Sequence, residues 1–285
     1  MKKKPVFKLS NLLILLTVLT FFSSIFLFLY TPHQINVENI PVPYEIVPEN
    51  PLSEQLVLGA SLKGYVKVPV LMYHNIAPIP GGGSASYRGL FVSPYMFEQQ
   101  MKYLRDNGYK ALTTQEFFDI LKSGVTPRQK SVLITFDDGS RGQYKYAYPI
   151  LKKYKLKGVF YIITDKSPIK MNEVRAMARG GMIIDSHTSS HPDLRKVPAN
   201  KNLRYQITTS KKTLEHLTKQ KVVSIAYPGC VADSRTFKIA SAGGYLLGFS
   251  CGRTIYHKYS NRYYLSRVHV YSDMASFKRA LTVGL

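Results

Sequence analysis

The stretch Ser131–Gly139, Ser-Val-Leu-Ile-Thr-Phe-Asp-Asp-Gly, restricts the fold more than any other part of the 285-residue chain. Val132, Leu133, Ile134 and Phe136 form a short apolar, β-branched run, the pattern of a buried strand. Asp137 and Asp138 end it abruptly. A carboxylate buried without a partner is strongly destabilising, so the end of this strand must meet a cation or carry a proton-transfer task. Gly139 lets the chain turn there, and Asp-Gly is also ordinary turn chemistry. Neighbouring side chains on extended backbone point to opposite faces. The two carboxylates therefore do not flank a single glycosidic bond as glycoside hydrolysis requires. One can hold a metal while the other does a different job.

A second stretch answers the first. Met182-Ile183-Ile184 reads as another buried strand and runs into Asp185-Ser186-His187-Thr188-Ser189-Ser190-His191-Pro192. Two histidines four apart converge on one metal when the backbone between them makes about one turn. Pro192 biases His191 away from the α region, so a strand end plus a turn is expected rather than a long helix. Asp138, His187 and His191 would give a three-ligand N₂O set with a position left for water, the pattern of a catalytic zinc-type site.

Thr135-Phe136-Asp137-Asp138-Gly139 followed by His187-Thr188-Ser189-Ser190-His191 resembles the first two motifs of the polysaccharide deacetylases, carbohydrate esterase family four. Ala226-Tyr227-Pro228-Gly229 resembles a variant of the third. The resemblance runs from about Val68 to Leu281. It implies a distorted (β/α) barrel and metal-dependent removal of N-acetyl groups from N-acetylglucosamine polymers. The strand before the Asp motif, Val68 to His74, resembles the branch acting on extracellular poly-N-acetylglucosamine.

Leu12 to Tyr30 carries no charge over nineteen residues, enough for a helix of about 28 Å and a bilayer crossing. Lys2, Lys3, Lys4 and Lys8 precede it, which places the N-terminus in the cytoplasm and the rest outside. No Ala-x-Ala-like site follows, so a single-pass, uncleaved anchor is preferred to a signal peptide. Residues 31–67, with Pro32, Pro41, Pro43, Pro48 and Pro51, read as an extracytoplasmic tether, and 68–285 as the catalytic domain. The net charge of +22 points to an anionic cell-wall or lipid surface as a partner, and no nucleic-acid-binding motif is present. Cys230 and Cys251 are the only cysteines. Both follow strand-like runs and so fall at one end of the barrel, paired or as free thiols.

Between the motifs the pattern alternates. Ser93 caps a helix with Pro94 at its first position. Thr113-x-x-Glu116 is a capping box. Gln143 to Tyr154 reads as helical despite Pro149. Leu203, Ile207, Leu214 and Leu217 mark the face of a longer helix. Strands are expected at Val159–Ile163, Val222–Tyr227, Tyr245–Ser250 and Tyr264–Tyr271. Alternation of this kind implies parallel strands with crossover helices, and catalytic groups at the strands' carboxyl ends.

An amide carbonyl is a poor electrophile. A divalent metal lowers the pKa of bound water to about 7 and stabilises the developing oxyanion; zinc is expected, with cobalt, nickel or iron as alternatives. With Asp138, His187 and His191 as ligands, Asp137 is left as general base, and the resemblance gives the same division. It also assigns the oxyanion-hole amide to the third motif, at the Tyr227 N–H. Asp185 reads as structural or as a partner of a ligand histidine, and His74, at the end of the first strand, either as a residue that touches substrate or as a structural loop histidine. Two features depart from the family. Ile225-Ala226 stand where a third-motif arginine often orients the base, and the chain has no Trp. The late Leu-x-His motif that commonly supplies the acid is not intact; the nearest stretch is Leu265-Ser266-Arg267-Val268-His269-Val270. On a strand Leu265, Arg267 and His269 share a face. His269 is therefore the expected acid, and Arg267 the substitute arginine, paired with Asp137.

These readings converge on an anchored N-deacetylase of an N-acetylglucosamine-containing polysaccharide. The alternatives are an O-acetyl esterase, a deacylase of a lipid-linked amino sugar, or a glycan-binding protein with weakened catalysis.

Overall fold

A computed structural model describes residues 64–282. The expected anchor, Leu12 to Tyr30, and most of the expected tether lie outside them. Among the described residues no helix is long and apolar enough to cross a membrane.

Eight strands build one parallel sheet: β1 Val70–Tyr73, β2 Lys110–Ala111, β3 Ser131–Phe136, β4 Val159–Ile162, β5 Ile183–Ser186, β6 Ser224–Ala226, β7 Leu247–Phe249 and β8 Val268–His269. Their spatial order is β7-β6-β5-β4-β3-β1-β8, with β2 paired to the start of β3. The sheet curls into a half-barrel, and single parallel bridges Phe249–Leu265 and Gly252–Val268 tie its two edges. Every neighbouring pair in the sheet is parallel, which demands crossovers. Helices α1 Ala85–Gly89, α2 Pro94–Asp106, α3 Thr114–Ser123, α4 Tyr148–Lys153, α5 Met171–Arg179, α6 Asn200–Arg204, α7 Ser210–Thr218, α8 Ser234–Ala242 and α9 Met274–Thr282 supply most of them.

The helix starts follow their local chemistry. Ser93 Oγ accepts the Met96 N–H at the head of α2, and Thr113 and Glu116 close a reciprocal capping box on α3. Gln143–Ala147 forms a widened π turn that runs without a break into α4, so Pro149 lies inside a continuous helix just past the π turn. The long helix on Leu203, Ile207 and Leu214 is interrupted by a second π turn at Tyr205–Thr209. Those three residues are buried, while Leu217 is only half-buried.

Period two along β3 decides what faces the barrel interior. Leu133 packs inside with Val70, Val159, Tyr161, Ala226, Leu247 and Phe249. Thr135 and Asp137 continue that face toward the mouth. On the alternate face Phe136 stacks on Phe160 at 4.5 Å and on Tyr73 at 5.3 Å. Phe117 of α3, Val66 and Val68 join the interior cluster.

The folded unit begins before Val68. Tyr65–Lys67 pairs antiparallel with Tyr256–Lys258. The expected strand Tyr264–Tyr271 shortens to Val268–His269, because the residues before it turn to bridge β7: Ser250 and Gly252 donate to the Leu265 and Arg267 carbonyls. Cys230 and Cys251 form a disulfide with Cα atoms 5.2 Å apart, closing the alternative of free thiols.

Candidate active site

The carboxyl ends of β1, β3, β5, β6 and β8 meet at the mouth of the curled sheet. Asp138 leaves β3 with φ +72°, and Thr188 and His191 hold φ +69° and +60° in the loop after β5. Non-glycine residues in the left-handed region are uncommon and carry strain that the surroundings must offset. Here two of the three expected ligands lie there. Local bonds fix them: Thr188 N–H donates to Ser186 Oγ at 3.1 Å, and His191 N–H to Thr188 Oγ1 at 3.0 Å.

His187 Nε2 and His191 Nε2 each stand 3.4 Å from Asp138 Oδ1, and one ligand atom from each residue lies within 4.8 Å of the others. His187 Nδ1 is 2.8 Å from the Ala226 carbonyl. A carbonyl only accepts, so Nδ1 carries the proton and Nε2 presents its lone pair to the triad. The donor set and its tautomer suit a divalent cation such as zinc. The His187 side chain is 2% exposed, whereas Asp138 and His191 are 37% and 40% exposed, so the triad opens on one side to solvent. Burial pushes the His187 imidazole down, but Asp137 and Asp138 outweigh it and its pKa is raised. This pocket attracts positive charge.

Asp137 is not part of the triad. It is 3% exposed, and Arg267, fully buried, grips it bidentately: Nη1 to Oδ1 at 2.6 Å and Nη2 to Oδ2 at 2.7 Å. Burial alone would raise the Asp137 pKa, yet the Arg267 charge and hydrogen bonds hold the carboxyl far below its usual range. Arg267 is itself steadied by the Ser250 carbonyl at 3.0 Å and Thr135 Oγ1 at 3.3 Å. The arginine absent from the third motif thus arrives from the segment leading into β8.

His74 Nε2 lies 4.0 Å from Asp137 Oδ2, and His74 Nδ1 is buried without a hydrogen-bond partner. Burial holds this imidazole below its ordinary pKa, against the pull of Asp137 and Asp138. His269 sits one ring further out, 5.8 Å from His74 between centroids, and its Nε2–H donates to the Gly89 carbonyl at 2.9 Å. The expected acid is therefore turned toward the loop after β1, with His74 between it and the Asp pair.

Tyr227 requires a correction. Its N–H donates to the Phe249 carbonyl at 2.9 Å as part of the β6–β7 pairing, and its ring is fully buried with Oη donating to Tyr263 O. An amide committed to a sheet bond does not face an oxyanion, and a buried ring does not touch substrate. Asp185 is structural: it accepts from Val223 N–H at 2.8 Å and Ser224 Oγ at 2.6 Å, so β5 is tied through it to the start of β6. Sequence reasoning missed Gln143. Its buried Nε2 donates to the Asp137 carbonyl at 2.5 Å and the His74 carbonyl at 2.9 Å, clamping two strand ends together. One polar residue after Gly142 gave no signal of this. Gly142 itself is needed for close approach, since a Cβ there would stand 2.1 Å from the Ile76 carbonyl.

Comparison with known proteins agrees with this geometry. The polysaccharide deacetylase family profile matches residues 124–248. The candidate polysaccharide deacetylase YxkH of Bacillus subtilis (strain 168) is 34% identical over 213 residues, covering 73% of each chain. A poly-beta-1,6-N-acetyl-D-glucosamine N-deacetylase of Staphylococcus aureus (strain MRSA252) is 30% identical over 207 residues, 67% of this chain and 71% of the other. The deacetylase PplD of Streptococcus pyogenes, solved in complex with acetate, superposes with a TM-score of 0.69 at 30% identity over 77% of this chain and 99% of its own. The chain belongs to the polysaccharide deacetylase family.

Proposed function

We propose that this protein is a metal-dependent N-deacetylase of an N-acetylglucosamine-containing polysaccharide, held by an N-terminal anchor with its catalytic domain outside the cytoplasm. The observation that carries the chemistry is the separation of the two adjacent carboxylates: Asp138 sits with His187 and His191, while Asp137 is buried against Arg267. The likeness to a Staphylococcus aureus poly-beta-1,6-N-acetyl-D-glucosamine N-deacetylase supports the substrate class. The uncharged Leu12–Tyr30 behind four lysines supports the anchor. We also read the curled sheet as a distorted barrel, its edges tied by the two bridges that bracket Arg267.

A divalent cation held by Asp138, His187 and His191 would polarise the acetamide carbonyl and make water a better nucleophile. Asp137 accepts the proton of the attacking water. Arg267 keeps its carboxylate ionised and fixed, and each oxygen retains a lone pair beyond the arginine bonds. The departing amine needs a proton. His74 is better placed to give it than His269, because its Nε2 lies 4.0 Å from Asp137 Oδ2 whereas His269 Nε2 is engaged by the Gly89 carbonyl. His269 then acts as a positioning residue that holds the Gly89 loop. With Tyr227 N–H engaged and Pro228 lacking one, we assign the oxyanion donor to Gly229 N–H, at φ +61° just past the strand end.

The test is acetate release by the zinc-loaded protein from peptidoglycan, chitooligosaccharide and poly-β-1,6-N-acetylglucosamine, with new free amines counted in parallel. Acetate with an equal yield of amines supports the reading. Acetate without amines assigns an O-acetyl esterase, and oligosaccharide binding without acetate assigns a glycan-binding protein. His74→Ala is expected to reduce turnover by about 10²–10⁴-fold, and His269→Ala by less.

A further inference from the structure

Two exposed tyrosines stand on opposite sides of the site, and each is anchored rather than loose. Tyr271 is 44% exposed. Its ring lies 4.6 Å from His269, which is 5.8 Å from His74, which reaches Asp137 at 4.0 Å. Its carbonyl accepts from Gln100 Nε2 at 3.0 Å, and Gly89 lies against the ring: a Cβ there would be 3.6 Å from Tyr271 Cε1. The ring is thus packed along one side by His269 and Gly89 and exposed beyond them.

Tyr205 is 49% exposed and belongs to the opposite wall. Its Oη donates to Asp165 Oδ2 at 3.3 Å, and its carbonyl accepts from Ser189 Oγ at 3.3 Å. Ser189 lies between the two ligand histidines. Gln206, the next residue, accepts the Ser189 N–H on its carbonyl and the Ser190 N–H on Oε1. Tyr205 opens the π turn Tyr205–Thr209. Such insertions in helices recur at functional sites. Leu203 and Ile207, four apart, face the core, and Tyr205 between them falls on the outward face, its phenol bonded to Asp165, whose N–H donates to the Ser189 carbonyl.

We propose that Tyr271 and Tyr205 are stacking platforms for the sugar rings that flank the residue being deacetylated. The apolar C–H face of a β-linked pyranose suits a fixed, half-exposed phenol ring. A pair of platforms bracketing Asp137 and the His187–His191 loop fits a polymer that crosses the site and extends beyond it on both sides. In a chain without tryptophan, tyrosine is the largest aromatic side chain available for this. The proposal rests on the N-deacetylase reading and names its substrate as an oligomer of at least three sugars rather than a single sugar.

The test uses the full chain, zinc-loaded, with β-linked N-acetylglucosamine oligomers of two to five units. For the wild type, kcat/KM is expected to rise with length. In Tyr271→Ala and Tyr205→Ala the penalty should grow with oligomer length to about three- to tenfold each, on KM rather than kcat, as expected for one aromatic contact. Tyr→Phe at either position should restore most of it, and metal content should not change. A penalty equal at every length, or none at any length, overturns the proposal. Calorimetric binding of the five-unit oligomer to Asp137→Asn protein, with and without each Tyr→Ala change, separates this proposal from the reading beneath it. If the wild type releases no acetate but binding still weakens in the tyrosine variants, the deacetylase reading fails and the platforms stand. If binding is unaffected, the platforms fall whatever the activity.

Discussion

Asp137 and Asp138 are adjacent in the chain and separate in chemistry because the backbone changes hand between them. Asp137 continues the inward face of β3 with Leu133 and Thr135, whereas Asp138 at φ +72° turns toward the histidines. Arg267 outweighs the burial that by itself raises the Asp137 pKa. A carboxylate depressed in this way lends stability above its unfolded value of about 3.9, which is lost as pH falls through the folded value. Arg267→Met removes the opposing charge, so Asp137 binds its proton at higher pH. The acidic limb of the kcat/KM profile should move upward, which a pH–rate series will show, and acid unfolding should begin at higher pH. The pairing was legible in the sequence because Arg267 and His269 share a strand face that suits no apolar layer. The orientation of His269 was not legible, since the Gly89 carbonyl that captures it comes from a loop far away in the chain. The Tyr227 amide was misassigned for a similar reason: only the pairing of β6 with β7 decides where that N–H goes.

At the level of elements, the βα alternation could be read from apolar runs and caps, and the caps on α2 and α3 formed as their side chains dictate. Strand lengths could not. β6, β7 and β8 pair only over Ser224–Ala226, Leu247–Phe249 and Val268–His269, shorter than the runs that mark them, because the length of a strand is set by the neighbour folded beside it and not by its own residues. The ribbon of Tyr65–Lys67 with Tyr256–Lys258 had no sequence signal, and it buries a histidine. His257 donates Nε2–H to the Val68 carbonyl at 3.0 Å and packs edge-on to Phe117. Burial lowers its pKa to about 4, against about 6.5 in an unfolded chain. Between those values the unfolded state binds the proton and the folded state does not, so stability falls as pH falls from 6.5 toward 4. The full effect is about 3 kcal/mol. His257→Gln keeps a donor at that position without the titration. Its melting temperature should therefore decline less than the wild type's over that window, in melts at matched pH. Parallel declines in the two proteins would remove His257 as the cause.

For the whole molecule, the proposed anchor and the charge would act together. The basic excess belongs to the folded unit, since Lys2, Lys3, Lys4, Lys8 and Lys63 before Gly64 are nearly matched by Glu38, Glu45, Glu49 and Glu54. A basic domain tethered outside a membrane would be held close to anionic wall polymers, an attraction that weakens with salt. The full-length protein should remain with membranes after a carbonate wash; a soluble mature form beginning after residue 30 would refute the anchor. The most direct measurement of the central claim, that two neighbouring aspartates divide metal binding from proton transfer, is zinc content together with acetate release for Asp137→Asn and Asp138→Asn. Asp137→Asn should keep its zinc and lose acetate release by about 10²-fold or more, while Asp138→Asn should lose both. An Asp137→Asn protein that empties of zinc while Asp138→Asn retains it, or one that still releases acetate at the wild-type rate, would contradict the account.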